Sequence, residues 1–151
     1  MKTDPKARYQ GYSFYFREGF CWNNILNPEA RLLKVKLKQA SVNDVGSMSL
    51  MPICPLTPCL YLLCLLNSNL IFDYYRVFVN CSVNIQINDI KQLPIIIPSH
   101  EDMQRCIDIA NNAVIIKKLA TDSSAANNCD YLKLSKIENE IDRIVNKLYH
   151  I

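Results

Sequence analysis

Leu134, Ile137, Ile141, Ile144, Leu148 and Ile151 recur at intervals of 3, 4, 3, 4 and 3 residues. A strand repeats every two residues and cannot gather these six on one face, whereas an α-helix can. The end of the chain is therefore an amphipathic helix that needs something apolar to lie against. Ser135 and Glu138 have capping-box spacing, so the helix is expected to start at 131 or at 135. Ser99 and Asp102 predict an earlier start, for a helix running to about Leu119. The polar stretch Thr121–Asn128 would join the two. Residues 99–151 thus read as a helical hairpin, with Glu138, Glu140 and Asp142 on its solvated outer face.

The earlier part has a different period. Tyr12, Phe14 and Phe16 share one parity and predict a half-buried strand. Glu18-Gly19 reads as a turn, and Phe20-Cys21-Trp22 as extended chain. Leu33, Val35 and Leu37 alternate with Lys34, Lys36 and Lys38, which puts three ammonium groups on one side of a strand. Val42–Gly46 reads as a strand closing in a turn. Pro55–Leu66 is expected to be a helix with Pro58 inside its first turn. Leu70–Val79 is expected to be a second helix, capped from Asn67-Ser68-Asn69. Ile85 and Ile87 alternate with amides and predict a strand. Leu93–Pro98 is apolar and extended, suited by its prolines to a sheet edge or the core surface. The expected fold class is α+β (mixed): a flexible arm (1–10), a small β-containing α/β lobe (11–98) and a C-terminal helical hairpin (99–151).

The most apolar stretch, Leu50–Leu66, is cut by Pro52, Pro55 and Pro58. Its longest uninterrupted run, Cys59–Leu66, is 8 residues, and a membrane span needs about 20. No membrane partner is expected. The opening residues are polar and carry no apolar targeting segment. The 7 Cys are odd in number and contain no Cys-x-x-Cys pair. Cys54-x4-Cys59-x4-Cys64 is spaced evenly, but the only histidines are His100 and His150. Reduced thiols in a cytoplasmic protein are the reading, with no metal site assigned.

Enzyme signatures are missing. The three glycines, Gly11, Gly19 and Gly46, are isolated, so no phosphate-cradling loop exists. There is no nucleophile elbow, and neither histidine has an acid or thiol partner at a telling spacing. No catalytic residue is assigned. The charge is more informative. Lys+Arg number 17 against 14 Asp+Glu, a net charge of +3. Residues 1–38 hold 8 basic and 3 acidic side chains, so the whole excess sits in the first quarter. A local basic face attracts polyanions even when the whole protein is nearly neutral. Arg17, Arg31, Lys34, Lys36 and Lys38 could hold phosphates, while Asn23 and Asn24 offer amides to base edges and Trp22 an aromatic contact. The plainer reading of the same residues is a wet strand edge guarded by lysines, with Trp22 as a core anchor.

Several segments resemble one family. Phe14-Tyr15-Phe16-Arg17-Glu18-Gly19-Phe20-Cys21-Trp22-Asn23-Asn24-Ile25 is similar to the opening of target-recognition domains. Tyr61–Ser68 resembles their helix ending in Leu-Asn-Ser, and Asn84–Ile95 their Asn-x-Gln-x-Gly-Asp-Ile-x-x-Leu-Pro-Ile segment. Ile137–Ile151 resembles their closing helix. The family is that of adenine-specific DNA methyltransferases with a fused specificity region, including type IIG restriction–modification enzymes and BREX phage-defence methyltransferases. Cys81 and Asn88 depart from its pattern, standing where Pro and Gly are frequent. Within the resembling segments, the Asn84/Gln86/Asp89 group is read as pinning a turn against the helix from Pro55.

The resemblance implies a DNA sequence-reading part with duplex DNA as its partner. It also implies a separate methyltransferase domain or subunit that holds S-adenosylmethionine and flips the adenine. The Asn-Pro-Pro-Tyr motif of that domain is missing here, since Asn27-Pro28 is followed by Glu29-Ala30. The hairpin would be a spacer docking on the methyltransferase body. The alternative is a structural or protein-interaction module, in which the heptad helix pairs with a partner or a second copy.

Overall fold

Gly19 decides how closely the sheet can pack. A Cβ there would overlap the carbonyl of Leu50 on a neighbouring strand, so only glycine allows the approach. The protein is seen in a computed structural model that describes residues 11–43, 46–122 and 128–151. The expected arm over 1–10 lies outside the described residues. Three short strands form: β1 (Gly19–Asn23), β2 (Lys36–Lys38) and β3 (Ser47–Leu50). β1 is central and antiparallel to both. Phe20 stands opposite Leu37 and Leu50, and Trp22 opposite Met48. Directly opposed residues share a face, and these five all pack into the core.

Five helices are present among the described residues: α1 (Cys59–Leu66), α2 (Asn69–Tyr74), α3 (Ile87–Ile90), α4 (His100–Asp122) and α5 (Asn128–Leu148). The chain is a mixed α+β fold, as expected. α1 is apolar on every side and buried from Tyr61 to Leu66. Such a helix has to be enclosed. The sheet flanks it, and α2, α4 and α5 complete the enclosure. α1 starts at Cys59 with Pro58 as its N-cap, not inside its first turn. A residue before proline is pushed out of helical geometry, so the segment between Pro55 and Pro58 stays a turn, closed by Thr57 N donating to Cys54 O at 3.1 Å.

Ser68 caps α2, its Oγ accepting from Ile71 N at 3.3 Å. The expected single helix over Leu70–Val79 is instead α2 followed by a π-helical turn, Tyr75–Val79. No single helix among the described residues is long and apolar enough to cross a membrane. α1 and the 69–79 segment are apolar together but bent by 68°.

Four further expectations are corrected. Tyr12–Arg17 is not a strand. Gly11, at φ 68°, opens a 3-10 turn over Tyr12–Phe14, and Phe14 and Phe16 are exposed. Val42 and Asn43 are irregular, residues 44–45 lie outside the described residues, and the strand comes later, as β3. Ile85 and Ile87 do not form a strand. One bridge, Ile25 to Asn84, is followed at once by α3. The Asp89 carboxylate accepts from Gln86 N at 2.9 Å, and this N-terminal cap outweighs a three-residue alternation. Finally, α5 starts at Asn128, so Ser135 and Glu138 lie inside it and cap nothing.

The start of α4 is as expected: Ser99 Oγ accepts from Asp102 N at 3.2 Å. The helix continues past Leu119 to Asp122, and of the expected polar loop 123–127 lie outside the described residues. The heptad stripe of α5 is largely spent inside the chain. Ile141, Ile144 and neighbouring Val145 are buried, and Ile137 and Leu148 pack on the same core. Ile151 falls beyond the helix and is exposed. Leu93–Pro98 stays outside the sheet, pinned by the Tyr61 hydroxyl on Ile96 O and the Tyr149 hydroxyl on Pro94 O.

Candidate nucleic-acid interface

Strand pairing sets which way the lysines point. Lys36 stands opposite Cys21, and Lys38 opposite Gly19, so both lie on the sheet face away from Phe20 and Trp22. Lys36 is exposed there. Lys34 precedes β2 and is exposed, with a left-handed backbone at φ 53°. That conformation is uncommon for a side-chain-bearing residue and ends the strand on that side. The alternation of the segment survives the break, because Leu33 and Val35 remain buried.

Lys38 departs from the expected wet stripe. It is 5% exposed, and its Nζ donates to the carbonyls of Arg17 at 2.8 Å, Ser41 at 2.6 Å and Gln39 at 3.3 Å. An ammonium has three protons and no acceptor capacity, so three carbonyls use all of it. Lys38 is a structural clasp between the start of β1 and the turn after β2, and it is not free for a phosphate.

Trp22 is also corrected. Its side chain is fully enclosed, with the indole N–H donating to Ile85 O at 3.4 Å. It anchors the core and cannot reach a base. Arg17 is exposed, and its guanidinium lies 5.3 Å from the centroid of Phe14. Arg31 is exposed beside a surface cleft of about 900 Å³ that it lines with Glu29, Asn69, Phe72 and Asp73. Two carboxylates share this cleft, so its field is mixed. Asn23 is exposed at the end of β1, where it pairs with Ser47. Asn24 is half-buried. Its N–H donates to Gly46 O at 3.0 Å, and its carbonyl accepts from Ile85 N at 2.9 Å.

The structure thus keeps Lys34, Lys36, Asn23 and Arg17 in solvent, places Arg31 among acids, and removes Trp22 and Lys38 from the surface. It adds Ser49, which stands opposite Cys21 on the face of Lys36. Sequence reading missed it because the third strand was expected before Gly46. The only signal for Ser47–Leu50 was a four-residue polar–apolar alternation.

Asn84, Gln86 and Asp89 build a turn, as expected, but not against α1. Besides capping α3, Asp89 accepts from Asn80 Nδ2 at 2.8 Å and from the Tyr75 hydroxyl at 3.5 Å. Burial and the neighbouring Asp89 push the Tyr75 hydroxyl up to about 12. The turn is anchored on the π-helical segment.

Thiol chemistry is muted. Cys64 on α1 and Cys106 on α4 are fully buried and hydrogen-bonded to each other, and that bond with burial holds the Cys64 thiol protonated. Cys59 is half-buried, its thiol pushed up to about 11 by burial and then by Glu18. Among the described residues no three His, Cys, Asp or Glu side chains come together as a metal site. His100 opens α4 and His150 follows α5, both exposed. Comparison with family models, with curated proteins and with solved structures finds no match for this chain.

Proposed function

We propose that the chain is the sequence-recognition part of an adenine-specific DNA methyltransferase of restriction–modification or phage-defence type. It binds duplex DNA, and methyl transfer from S-adenosylmethionine belongs to a separate domain or subunit. The observation that carries the reading is the outer face and edge of the sheet. Lys36 projects from that face and Lys34 precedes the same edge strand, both exposed, while Asn23 is exposed at the end of the adjoining strand. Cations there meet phosphates, and an amide offers the paired donor and acceptor that an adenine edge requires. The sequence resemblance gives the reading its enzyme class.

With few phosphate contacts, affinity is modest and strongly salt-dependent, each contact adding about 0.9 to the slope of log K against log salt. Gel shift of random duplexes over a salt series tests this. Lys34→Glu/Lys36→Glu is expected to abolish the shift at low salt with an unchanged circular-dichroism melt. Wild-type affinity in the double variant overturns the reading.

A further inference from the structure

The turn leading into β1 is firmly held, yet it buries none of its rings. The 3-10 residues Tyr12–Phe14 include no buried side chain. Phe14 is 51% exposed and Phe16 61%. Phe16 also has a left-handed backbone, at φ 61°, which is strained for a bulky side chain. Burial ordinarily offsets the cost of ordering an aromatic ring, and here it does not. Polar bonds fix the turn instead. Phe14 N donates to Gly11 O at 2.8 Å and Arg17 N to Phe14 O at 3.3 Å. Phe16 N reaches across to Ser41 O, beyond β2, at 3.2 Å. The buried Lys38 ammonium ties the same two segments together through Arg17 O and Ser41 O. A buried cation thus braces a turn that holds two phenyl rings in solvent, which is how a contact surface is preorganised.

Charge says what such rings can meet. Residues 11–43 hold Arg17, Arg31, Lys34, Lys36 and Lys38 against Glu18 and Glu29. Arg31 and Glu29 belong to the cleft beside α2, which leaves four cations against Glu18. That carboxylate lies within electrostatic reach of Cys59, at the start of α1. Residues 46–58, which include β3, carry no charged side chain. The Arg17 guanidinium lies over the Phe14 ring, 5.3 Å from its centroid. Lys38 pairs with Gly19, two residues beyond Arg17, and the exposed Lys36 is two residues from Lys38 on β2, about 7 Å along the strand. The aromatic turn therefore adjoins the cationic sheet face.

We propose that Phe14 and Phe16 are wedges that contact bases at an unstacked step of the duplex, with Arg17 on a flanking phosphate. The inference rests on the DNA reading of the sheet face and adds to it the side chains that meet the stack. A polynucleotide is the partner that offers flat π-faces and negative charge together. Lys38 then acts as a positioning residue, setting the turn without touching the nucleic acid.

The test uses the full chain and two labelled duplexes of one sequence, one intact and one with a central abasic site, where a base is already missing from the stack. Fluorescence anisotropy should show the abasic duplex bound about tenfold more tightly, with the same salt slope. Phe14→Ala/Phe16→Ala should bind both duplexes equally, with slope and melt unchanged, whereas Phe14→Tyr/Phe16→Tyr should keep the preference. Equal binding of the two duplexes by the wild type, or a preference that survives in the alanine variant, overturns the inference and leaves the DNA reading in place. A dimer by sedimentation that the alanine variant abolishes assigns the rings to a second copy and likewise overturns it. Binding of neither duplex at low salt overturns both the inference and the reading beneath it.

Discussion

The side-chain amide of Asn67 pairs with the backbone of Val35 in both directions. Its Oδ1 accepts from Val35 N at 3.0 Å, and its Nδ2 donates to Val35 O at 2.8 Å. The same Nδ2 donates to Leu63 O at 2.9 Å, near the end of α1. One amide therefore acts as a strand partner for the residue before β2 while finishing a helix. Ser68 then caps α2, and Asn69 donates from its N–H and its Nδ2 to Asp142 on α5. Three consecutive polar residues join the sheet, α1, α2 and the hairpin.

Asn67→Leu leaves the Val35 amide and carbonyl without their partner in a partly buried site. Losing such bonds costs about 1–3 kcal/mol. The urea midpoint should fall accordingly. Asn67→Asp keeps the acceptor but loses both donations, so it should also destabilise. A midpoint unchanged in both variants would show that Val35 needs no partner.

Trp22 separates the core from the interface. Trp22→Ala removes an enclosed indole and should cost about 3–5 kcal/mol. Trp22→Phe should cost less and leave duplex affinity at the wild-type value, because the ring never reaches solvent. A clear loss of affinity in a folded Trp22→Phe variant would place the indole at the DNA after all.

Periodicity carried as far as the hairpin, the enclosed α1 and the inward parity of Leu33 and Val35, because long apolar patterns report burial directly. It failed where three to five residues had to decide alone. At Ile85–Ile87 a side-chain cap prevailed over alternation, and at Tyr12–Phe16 a left-handed Gly11 started a turn. The candidate site was legible as a charge excess but not as a surface. Alternation placed Lys34, Lys36 and Lys38 together, and it could not show that three carbonyls converge on Lys38. Nor could it tell a tryptophan that offers an aromatic contact to a base from one that fills the core.

The thiols should sort by depth. Cys54 and Cys81 are exposed, while Cys21, Cys64 and Cys106 are buried. Native alkylation should label the first two quickly. The buried three should react only on unfolding, and Cys59 slowly, because its raised pKa leaves little thiolate at neutral pH. Mass mapping of tryptic peptides checks this. Rapid native labelling of Cys64 or Cys106 would mean that α1 and α4 separate readily.

Asp102 makes the stability pH-dependent at the acidic end. Its carboxylate accepts from Lys147 at 3.1 Å and from Ser99 Oγ at 3.0 Å, and these bonds, Lys147 first, hold it below the ordinary value of 3.8. A depressed carboxylate stabilises the fold above its unfolded pKa and loses that contribution as pH falls through its native one. The site is exposed, so the effect is small and screened by salt. Urea midpoints of the wild type should approach those of Asp102→Asn as the pH is lowered below 3.8. A gap that stays constant with pH would assign the residue to helix capping alone.

Lys36 and Lys38 sit two residues apart on one strand and should behave oppositely. Lys36→Ala removes an exposed cation, so the melt should hold while the salt slope of duplex binding drops by about 0.9. Lys38→Ala removes the donor shared by the Arg17, Gln39 and Ser41 carbonyls in a part-buried site, leaving Ser41 O its bond from Phe16 N, and should cost about 1–3 kcal/mol. Lys38→Met replaces the packing of the stem without its donors and should recover only part of that loss. Once corrected for the folded fraction, Lys38→Met should bind duplex with the wild-type salt slope. A reduced slope in that variant would mean that the ammonium leaves its three carbonyls for a phosphate.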